Sequence, residues 1–192
     1  HGDGRITPRA TVVVRGATIT HVQPVAQERP AAAEPPARRV IDASGKTMIP
    51  GLIDAHVHVE AWTPAVFLKH GVTTVRDLHS DASAIFPLAK EDSPARPRII
   101  TSGPLIDGVG SFWKNAVQVG SVGEARAAVR AQVDAGAKVI KVYTRLQPSL
   151  VAVIVAEARA RGVPVAGHLG KTTAVQAAEA GVASIEHLSG VA

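Results

Sequence analysis

The sequence contains no cysteine, which excludes disulfides, thiol catalysis and zinc sites built on cysteine ligands. Aromatic residues make up only 3 % of the chain, so its core cannot be built on many large aromatic side chains. No apolar run reaches the ~18 residues that a membrane-spanning helix needs. What remains is a chain of 192 residues, 46 % of them apolar, which is enough for one ordinary domain or for one domain and a small second.

The net charge of +5 comes from 21 basic and 16 acidic side chains that are scattered along the sequence. There is no basic helix face and no interleaving of aromatic with basic residues, so we interpret these charges as a solvated surface rather than a nucleic-acid interface. We predict neither a nucleic-acid nor a membrane partner. The chain opens without an initiator Met or a signal-peptide pattern, so we expect its natural start to lie upstream and leave the compartment open.

The pattern of predicted secondary structure changes near Pro50. Before it, residues 8–22 predict two short strands around Gly16, Gln23 to Arg39 a loop, and Arg39 to Ala43 another short strand. After it, apolar runs of a few residues alternate with alanine-rich helical segments, such as Val122 to Ala135. We therefore predict a β module over residues 1–49 and a second unit over residues 50–192.

The second unit predicts a parallel sheet covered by helices, because short apolar strands alternate with helices. Glycines stand where helix C-caps are expected, at Gly136, Gly162 and Gly181. Six strands can be counted, whereas a TIM barrel has eight and usually at least ~200 residues. Either the sheet is open or the barrel is incomplete. The predicted strands are Leu52 to Val57, Val72 to Val75, Arg98 to Thr101, Val139 to Val142, Val163 to Ala166 and Val182 to Ile185.

Four of the eight histidines fall at the carboxyl ends of predicted strands, where sites form in folds of this type. His56 and His58 are spaced so that both side chains leave the same face of a strand and could converge on one metal ion. His168 and His187 end the last two strands. The alternative is that they are structural. His79 also lies near this face and is a weaker candidate for contacting a ligand.

The strand around Lys141 alternates so that Lys141 and Tyr143 point towards the histidines if Ile140 and Val142 face the helices. A lysine inside a sheet is costly unless it is neutral, paired or modified. Burial lowers the pKa of an amine, and a neutral amine can react with CO2 to give a carbamate. The alternative is a surface lysine on a strand of opposite phase.

Five segments in this order resemble the amidohydrolase superfamily, and more closely its imidazolonepropionase-like and Xaa-Pro dipeptidase branch. They are P-G-L-I-D-A-H-V-H, G-V-T-T-V-R-D-L, A-G-A-K-V-I-K-V-Y, V-A-G-H and G-V-A-S-I-E-H. The resemblance implies an α/β fold: an incomplete TIM (β/α)8 barrel of about six βα units, with part of a small N-terminal β-sandwich. It implies a metal-dependent hydrolase of C–N bonds in amides, cyclic amides or dipeptides.

The resemblance also implies the ligands of two divalent metal ions, with zinc as the default. His56 and His58 would bind the more buried ion and His168 and His187 the second, while Lys141 would bridge both as a CO2-derived carbamate. A hydroxide between the ions would be the nucleophile. From the strand phase we add Tyr143 as a catalytic-site residue that contacts the substrate or its carbonyl. The segment Gly103 to Gly120, with Phe112 and Trp113, would form a wall of the pocket.

One implied role has no residue in this sequence. The family places a metal-binding aspartate at the end of an eighth strand, and we transfer this role neither to Asp54 nor to Asp77. We therefore expect an N-terminal fragment that ends before strands seven and eight and is inactive alone. The alternatives are a truncated, non-catalytic product or, much less favoured, a nicotinamide-binding protein, which lacks its Gly-rich fingerprint here. A homo-oligomer is compatible with the sequence, and the substrate is a small molecule of unspecified identity.

Overall fold

A computed structural model describes residues 4–24 and 39–191 of the chain. The chain divides into two compact units, His1–Pro50 and Gly51–Ala192. Most of the predicted loop from Gln23 to Arg39 lies outside the described residues.

The first unit contains an antiparallel pair, β1 (Ala10–Arg15) and β2 (Thr18–Pro24). Gly16 adopts a φ of 59° in the turn between them, a conformation that glycine reaches without steric cost. The predicted strand over Arg39 to Ala43 is wrong: this segment is exposed and forms no strand. A local turn competes with it, because the Asp42 carboxylate accepts hydrogen bonds from both the backbone N–H and the hydroxyl of Ser44. The β-sandwich stays a prediction.

The second unit alternates strands and helices, as the sequence predicts, and its strands pair only in parallel among the described residues. Its strands are β3 (Leu52–Val57), β4 (Val72–Asp77), β5 (Arg98–Thr101), β6 (Ile106–Gly108), β7 (Val117–Val119), β8 (Ile140–Val142), β9 (Val165–Gly167) and β10 (Ser184–Ile185). Its helices are α1 (Thr63–Lys69), α2 (Ala82–Lys90), α3 (Val122–Ala135), α4 (Pro148–Ala160) and α5 (Ala174–Ala180), and a 3₁₀ turn (Glu186–Leu188) follows β10.

The strands form two sheets in the orders β3-β4-β5 and β10-β9-β8-β6-β7. The backbone N–H of Lys138, just before β8, donates to the carbonyl of Thr101 at the end of β5 over 2.9 Å, which joins the two sheets. The pair β6 and β7 lies inside the segment from Gly103 to Gly120, where the sequence predicted only a long connection. The other strands follow chain order, so the carboxyl ends of β3, β4, β8, β9 and β10 face one side.

Helix ends carry the capping signals that the sequence contains. Ser121 and Glu124 form a reciprocal capping box at the start of α3, and Thr173 and Gln176 form another at α5. Each box satisfies two backbone N–H groups that the first helical turn leaves free. The box at α5 ends the loop that follows β9 and carries His168.

The main core lies between the sheet and the helices. Ile140 and Val142 of β8 pack in it together with Val129 of α3 and Ile154 of α4. A smaller cluster of Leu78, Val139 and Ala166, with Ile100 packed against it, lies on the other face of the sheet. The predicted phase of the Lys141 strand is therefore confirmed. Among the described residues no helix has both the length and the apolar character needed to cross a bilayer.

Candidate metal centre

His56 and His58 lie at the carboxyl end of β3 with their ring centroids 5.4 Å apart. The strand places residues i and i+2 on one face, which brings the two rings together. Both rings use Nδ1 for a hydrogen bond. Nδ1 of His58 lies 3.0 Å from the backbone carbonyl of His79, and Nδ1 of His56 lies 2.7 Å from Oε2 of Glu186.

These partners fix the tautomers of both rings. A carbonyl and a carboxylate can only accept, so Nδ1 carries the proton in each ring and Nε2 keeps a free lone pair. Metal-ligating histidines typically donate their second nitrogen to such an acceptor. The pair from β3 therefore has the donor arrangement of a metal site.

His168 follows β9, and His187 lies in the 3₁₀ turn after β10. The ring of His187 lies 4.4 Å from that of His56 and 4.9 Å from that of His168, measured between centroids. His187 has a φ of 58°, in the left-handed region that costs a residue with a side chain of the order of 1–3 kcal/mol. The four strand-end histidines thus form one cluster, and part of it is held at a cost in backbone strain.

Lys141 lies in the middle of β8 and is 1 % exposed. Its Nζ is one of three buried side-chain polar atoms that have no hydrogen-bond partner among the described residues. Burial is the main reason that the pKa of Lys141 falls to about 8, with the Glu186 charge opposing this shift and the Arg76 charge adding to it. An amine with this pKa is half neutral near pH 8 and is able to act as a nucleophile.

Burial also lowers the pKa of His56 and His168, and the positive charge of Lys141 lowers both further. A hydrogen bond to Glu186 partly offsets the shift at His56. The lowered pKa values keep both rings neutral over a wider pH range, and neutral imidazole is the form that binds metal ions.

Glu186 is a buried carboxylate at the edge of the cluster. Its Oε1 accepts hydrogen bonds from Nη2 of Arg76 and from the hydroxyl of Ser184, both over 2.8 Å, while Oε2 accepts from His56. Burial raises the pKa of Glu186, but the bonds from Ser184 and His56 and the charges of Arg76 and Lys141 outweigh it and lower the pKa below its ordinary value. Glu186 is therefore ionised.

Asp77 and Asp54 occupy different positions. Asp77 is fully buried at the end of β4, where its carboxylate accepts from the backbone N–H of Val59 and the hydroxyls of Ser80 and Thr101. It thereby holds the chain that follows the histidine pair. Asp54, deeper along β3, accepts from the backbone N–H of His56. Asp77 is thus committed to loop contacts, and Asp54 to a bond along its own strand.

Tyr143 contacts the histidine cluster directly, whereas Trp113 contacts His79 next to it. The ring of Tyr143 lies edge-on to that of His168, with centroids 4.7 Å apart. Trp113 contacts His79 in the same way at 5.1 Å, and His79 lies 6.0 Å from His58. The Leu105 backbone N–H donates to Nδ1 of His79, so the proton of this neutral ring is on Nε2.

The residues fit a metal centre in donor chemistry. Within residues 4–24 and 39–191, no group of three or more His, Asp or Glu side chains is already arranged to hold an ion. Two rings nevertheless have Nδ1 engaged and Nε2 available, and the buried amine of Lys141 has no partner in the described part of the chain. An unpaired buried amine is costly, so its position near His56 and His168 calls for a further group that pairs with it.

A sequence model of the amidohydrolase family matches residues 65–192. Among curated proteins, an adenine deaminase of Paracoccus denitrificans (strain Pd 1222) is 47 % identical over 57 residues, which is 26 % of this chain and 10 % of that protein. Among solved structures, a prolidase complexed with N-methylphosphonate-L-proline superposes with a TM-score of 0.74 at 26 % identity, covering 93 % of this chain and 56 % of that one. A bottromycin amidohydrolase gives a TM-score of 0.66 at 29 % identity, covering 73 % and 33 %.

The chain therefore belongs to the amidohydrolase family, and the predicted membership is confirmed. Its α/β fold with amidohydrolase neighbours is confirmed as well. The chain spans about a tenth of the adenine deaminase and just over half of the prolidase.

The structure gathers all the side chains that the sequence singled out: the four strand-end histidines, Lys141 and Tyr143. Their roles as metal ligands and catalytic residues stay predictions. Sequence reasoning missed Glu186 and Arg76. A usable signal was present, since each is a charged residue that directly follows an apolar residue of a short strand, and charges in such positions need partners.

Proposed function

We propose that this chain supplies metal ligands and a substrate-contacting residue of a hydrolase that cleaves C–N bonds. The observation that carries the proposal is the buried amine of Lys141, which has no partner among the described residues and lies near two members of a cluster of four strand-end histidines. The family match and the similarity to a prolidase and to an adenine deaminase support it. We further propose that strands β3, β4, β5, β8, β9 and β10 are six strands of a (β/α)8 barrel.

Five residues would hold two divalent ions, with zinc as our first choice. They are His56, His58, Lys141, His168 and His187. Such ions supply Lewis acidity and lower the pKa of a bound water. The contribution of the chain is to hold neutral imidazoles in place, because burial and the neighbouring charges lower the pKa of His56 and His168.

Lys141 would serve as a carbamate rather than as an amine. Its neutral Nζ attacks the carbon of CO2: a new N–C bond forms while one C–O π bond opens and its electron pair moves to that oxygen, and one N–H proton is released to solvent. The neutral amine thereby becomes a carbamate with one negative charge; starting from the ammonium, a second proton is released before the attack. A pKa of about 8 supports this step, because a useful fraction of the amine is neutral at physiological pH. As a carbamate, the side chain of Lys141 would bind the metal ions, and the buried amine that has no partner among the described residues would no longer be present.

Tyr143 would contact the substrate at the mouth of the cluster. Its ring packs edge-on against His168, which directs the side chain along the rim of the site. Its hydroxyl can donate a hydrogen bond to a carbonyl oxygen or carboxylate of the substrate. Trp113, held against His79, would form the opposite wall.

The substrates that fit are small molecules with an amide, cyclic amide or amidine-like C–N bond. The relatives named above include an adenine deaminase and a prolidase, so Xaa-Pro dipeptides and aminopurines are the first compounds to assay.

The proposal is tested by metal analysis of the complete protein that contains this chain, prepared with bicarbonate and zinc. We expect about two ions per chain and hydrolysis of at least one compound from a panel of dipeptides, cyclic amides and aminopurines. Fewer than one ion per chain would refute the two-metal proposal. Two ions without any hydrolysis would refute the proposed activity while leaving the metal site intact.

A further inference from the structure

Glu186 links the end of β10 to the histidine at the end of β3. It lies just after β10 and contacts His56 at the end of β3, 130 positions away in sequence. Its side chain is 8 % exposed, and both carboxylate oxygens accept hydrogen bonds. The bond to His56 is short, at 2.7 Å, and joins a carboxylate to a ring nitrogen. Since its oxygens are already engaged, Glu186 is placed to orient a ligand rather than to be one.

Arg76 fixes the carboxylate from the other side. Its Nη2 donates to Oε1 of Glu186, its Nη1 to the hydroxyl of Ser184, and its Nε to the backbone carbonyl of Ala55. Ala55 directly precedes His56 on β3. The guanidinium of Arg76 therefore contacts both the Glu186 carboxylate and the strand that carries His56. These two contacts fix the distance between Glu186 and His56.

We propose that Glu186 is a positioning residue that keeps the proton of His56 on Nδ1 and its lone pair on Nε2, with Arg76 holding Glu186 in place. The inference rests on the proposed metal centre, for which Nε2 of His56 must be free. A carboxylate accepts from Nδ1–H and cannot donate to it, so only one neutral tautomer satisfies both groups. Loss of such an outer partner typically lowers metal affinity by about 10–100-fold.

We expect Glu186→Gln to reverse the tautomer preference of His56 without changing the size of the side chain at position 186. Arg76 and Ser184 both donate, so they retain the amide oxygen on their side. The amide NH2 group then faces Nδ1 of His56 and donates to it. His56 must carry its proton on Nε2 in this variant, which removes the lone pair that a metal ion would use.

The test combines the ring-nitrogen chemical shifts of His56 with zinc affinity. In metal-free protein labelled with ¹⁵N-histidine at pH 8, we expect the Nδ1–H form in the wild type and the Nε2–H form in Glu186→Gln. We expect His58 to keep its Nδ1–H form in both, because it donates to the backbone carbonyl of His79. Zinc affinity, measured by competition with a chelating dye, should fall about 10–100-fold in Glu186→Gln. Glu179→Gln, on the exposed face of α5, is the matched control and should change neither quantity.

Glu186→Asp gives a second variant that keeps the charge opposite Arg76 but withdraws the carboxylate from His56. We expect a mixture of the two tautomers and a smaller loss of zinc affinity. An Nε2–H form of His56 in the wild type, or an unchanged tautomer in Glu186→Gln, would overturn the inference. So would equal zinc affinities of wild type and Glu186→Gln. A wild type with the expected tautomer that binds no zinc would instead refute the proposed metal centre.

Discussion

Two charged side chains are buried in the second unit, one at the end of β4 and one in the middle of β8, and their hydrogen bonding differs completely. Asp77, the last residue of β4, is fully buried, and its two oxygens accept from one backbone N–H and two hydroxyls. Lys141, in β8, is equally buried, and its Nζ has no partner among the described residues. A satisfied buried charge organises the loops around it. An unsatisfied one lowers stability and is retained where chemistry needs it.

The largest effect expected from this comparison is the loss of activity in Lys141→Ala. If Lys141 bridges the ions as proposed, removing it should lower kcat/KM by more than the ~10–100-fold that an outer partner of a metal ligand is worth. Short carboxylic acids should partly restore activity, because they supply the missing carboxylate. The matched control is Lys138→Ala, an exposed lysine three positions earlier, which should retain full activity. Full activity of Lys141→Ala would show that the buried lysine is not needed for the chemistry, and that only Asp77 has the role described above.

The next effect is a loss of stability in Asp77→Ala. The substitution leaves a backbone N–H and two hydroxyls without their acceptor, and we expect the free energy of unfolding to fall by about 3 kcal/mol. Urea denaturation of the metal-free protein measures this change. Asp134→Ala, which removes an exposed ion pair with Arg161, is the control and should cost less than ~1 kcal/mol. Equal losses in the two variants would show that Asp77 is not the structural group described above.

Lys141→Met should shift stability in the opposite direction. An apolar side chain of similar length replaces a buried amine without a partner, so we expect the metal-free protein to gain about 1–3 kcal/mol at pH 7. The same variant should lose its activity. Lys138→Met provides the exposed control. A Lys141→Met protein less stable than the wild type would mean that the amine has a partner in solution.

The stability difference between wild type and Lys141→Met should depend on pH. The pKa of Lys141 is about 8 in the folded protein and near 10.5 in an unfolded chain, so the unfolded state binds more protons between these values. Wild-type stability therefore rises with pH in this window, and the penalty is complete below pH 8. We expect the difference to narrow by about 1 kcal/mol between pH 8 and pH 9. A constant difference from pH 7 to pH 10 would contradict a lowered pKa.

Local signals account for the part of the fold that could be predicted from sequence. The bounds of β3, β5 and α3 follow directly from apolar runs, a capping box and a C-terminal glycine. The strand predicted at Arg39 to Ala43 failed because β-forming residues there compete with an aspartate turn. The short pair β6 and β7 was missed, since strands of three residues are too short to show a period.

The candidate site also has a part that local sequence signals predict and a part that they do not. The histidines and Lys141 are visible in sequence because strand ends and strand phase are local properties. The bonds of Glu186 to His56 and Arg76 join positions 130 and 110 residues apart, and no local pattern encodes such pairings. The left-handed conformation of His187 also could not be predicted from the sequence, because it depends on the packing of the turn after β10.

The separation of His56 from Glu186 in sequence also sets a delay between the synthesis of these two residues. Ribosomes add roughly 5–20 residues per second, so the carboxylate emerges about 7–26 s after the histidine that it contacts. Throughout this interval the first half of the cluster exists on the nascent chain without its counterpart. Closing so long a loop is slow and comes late in folding. Metal offered before Glu186 and His187 have emerged therefore meets only an incomplete set of the proposed ligands.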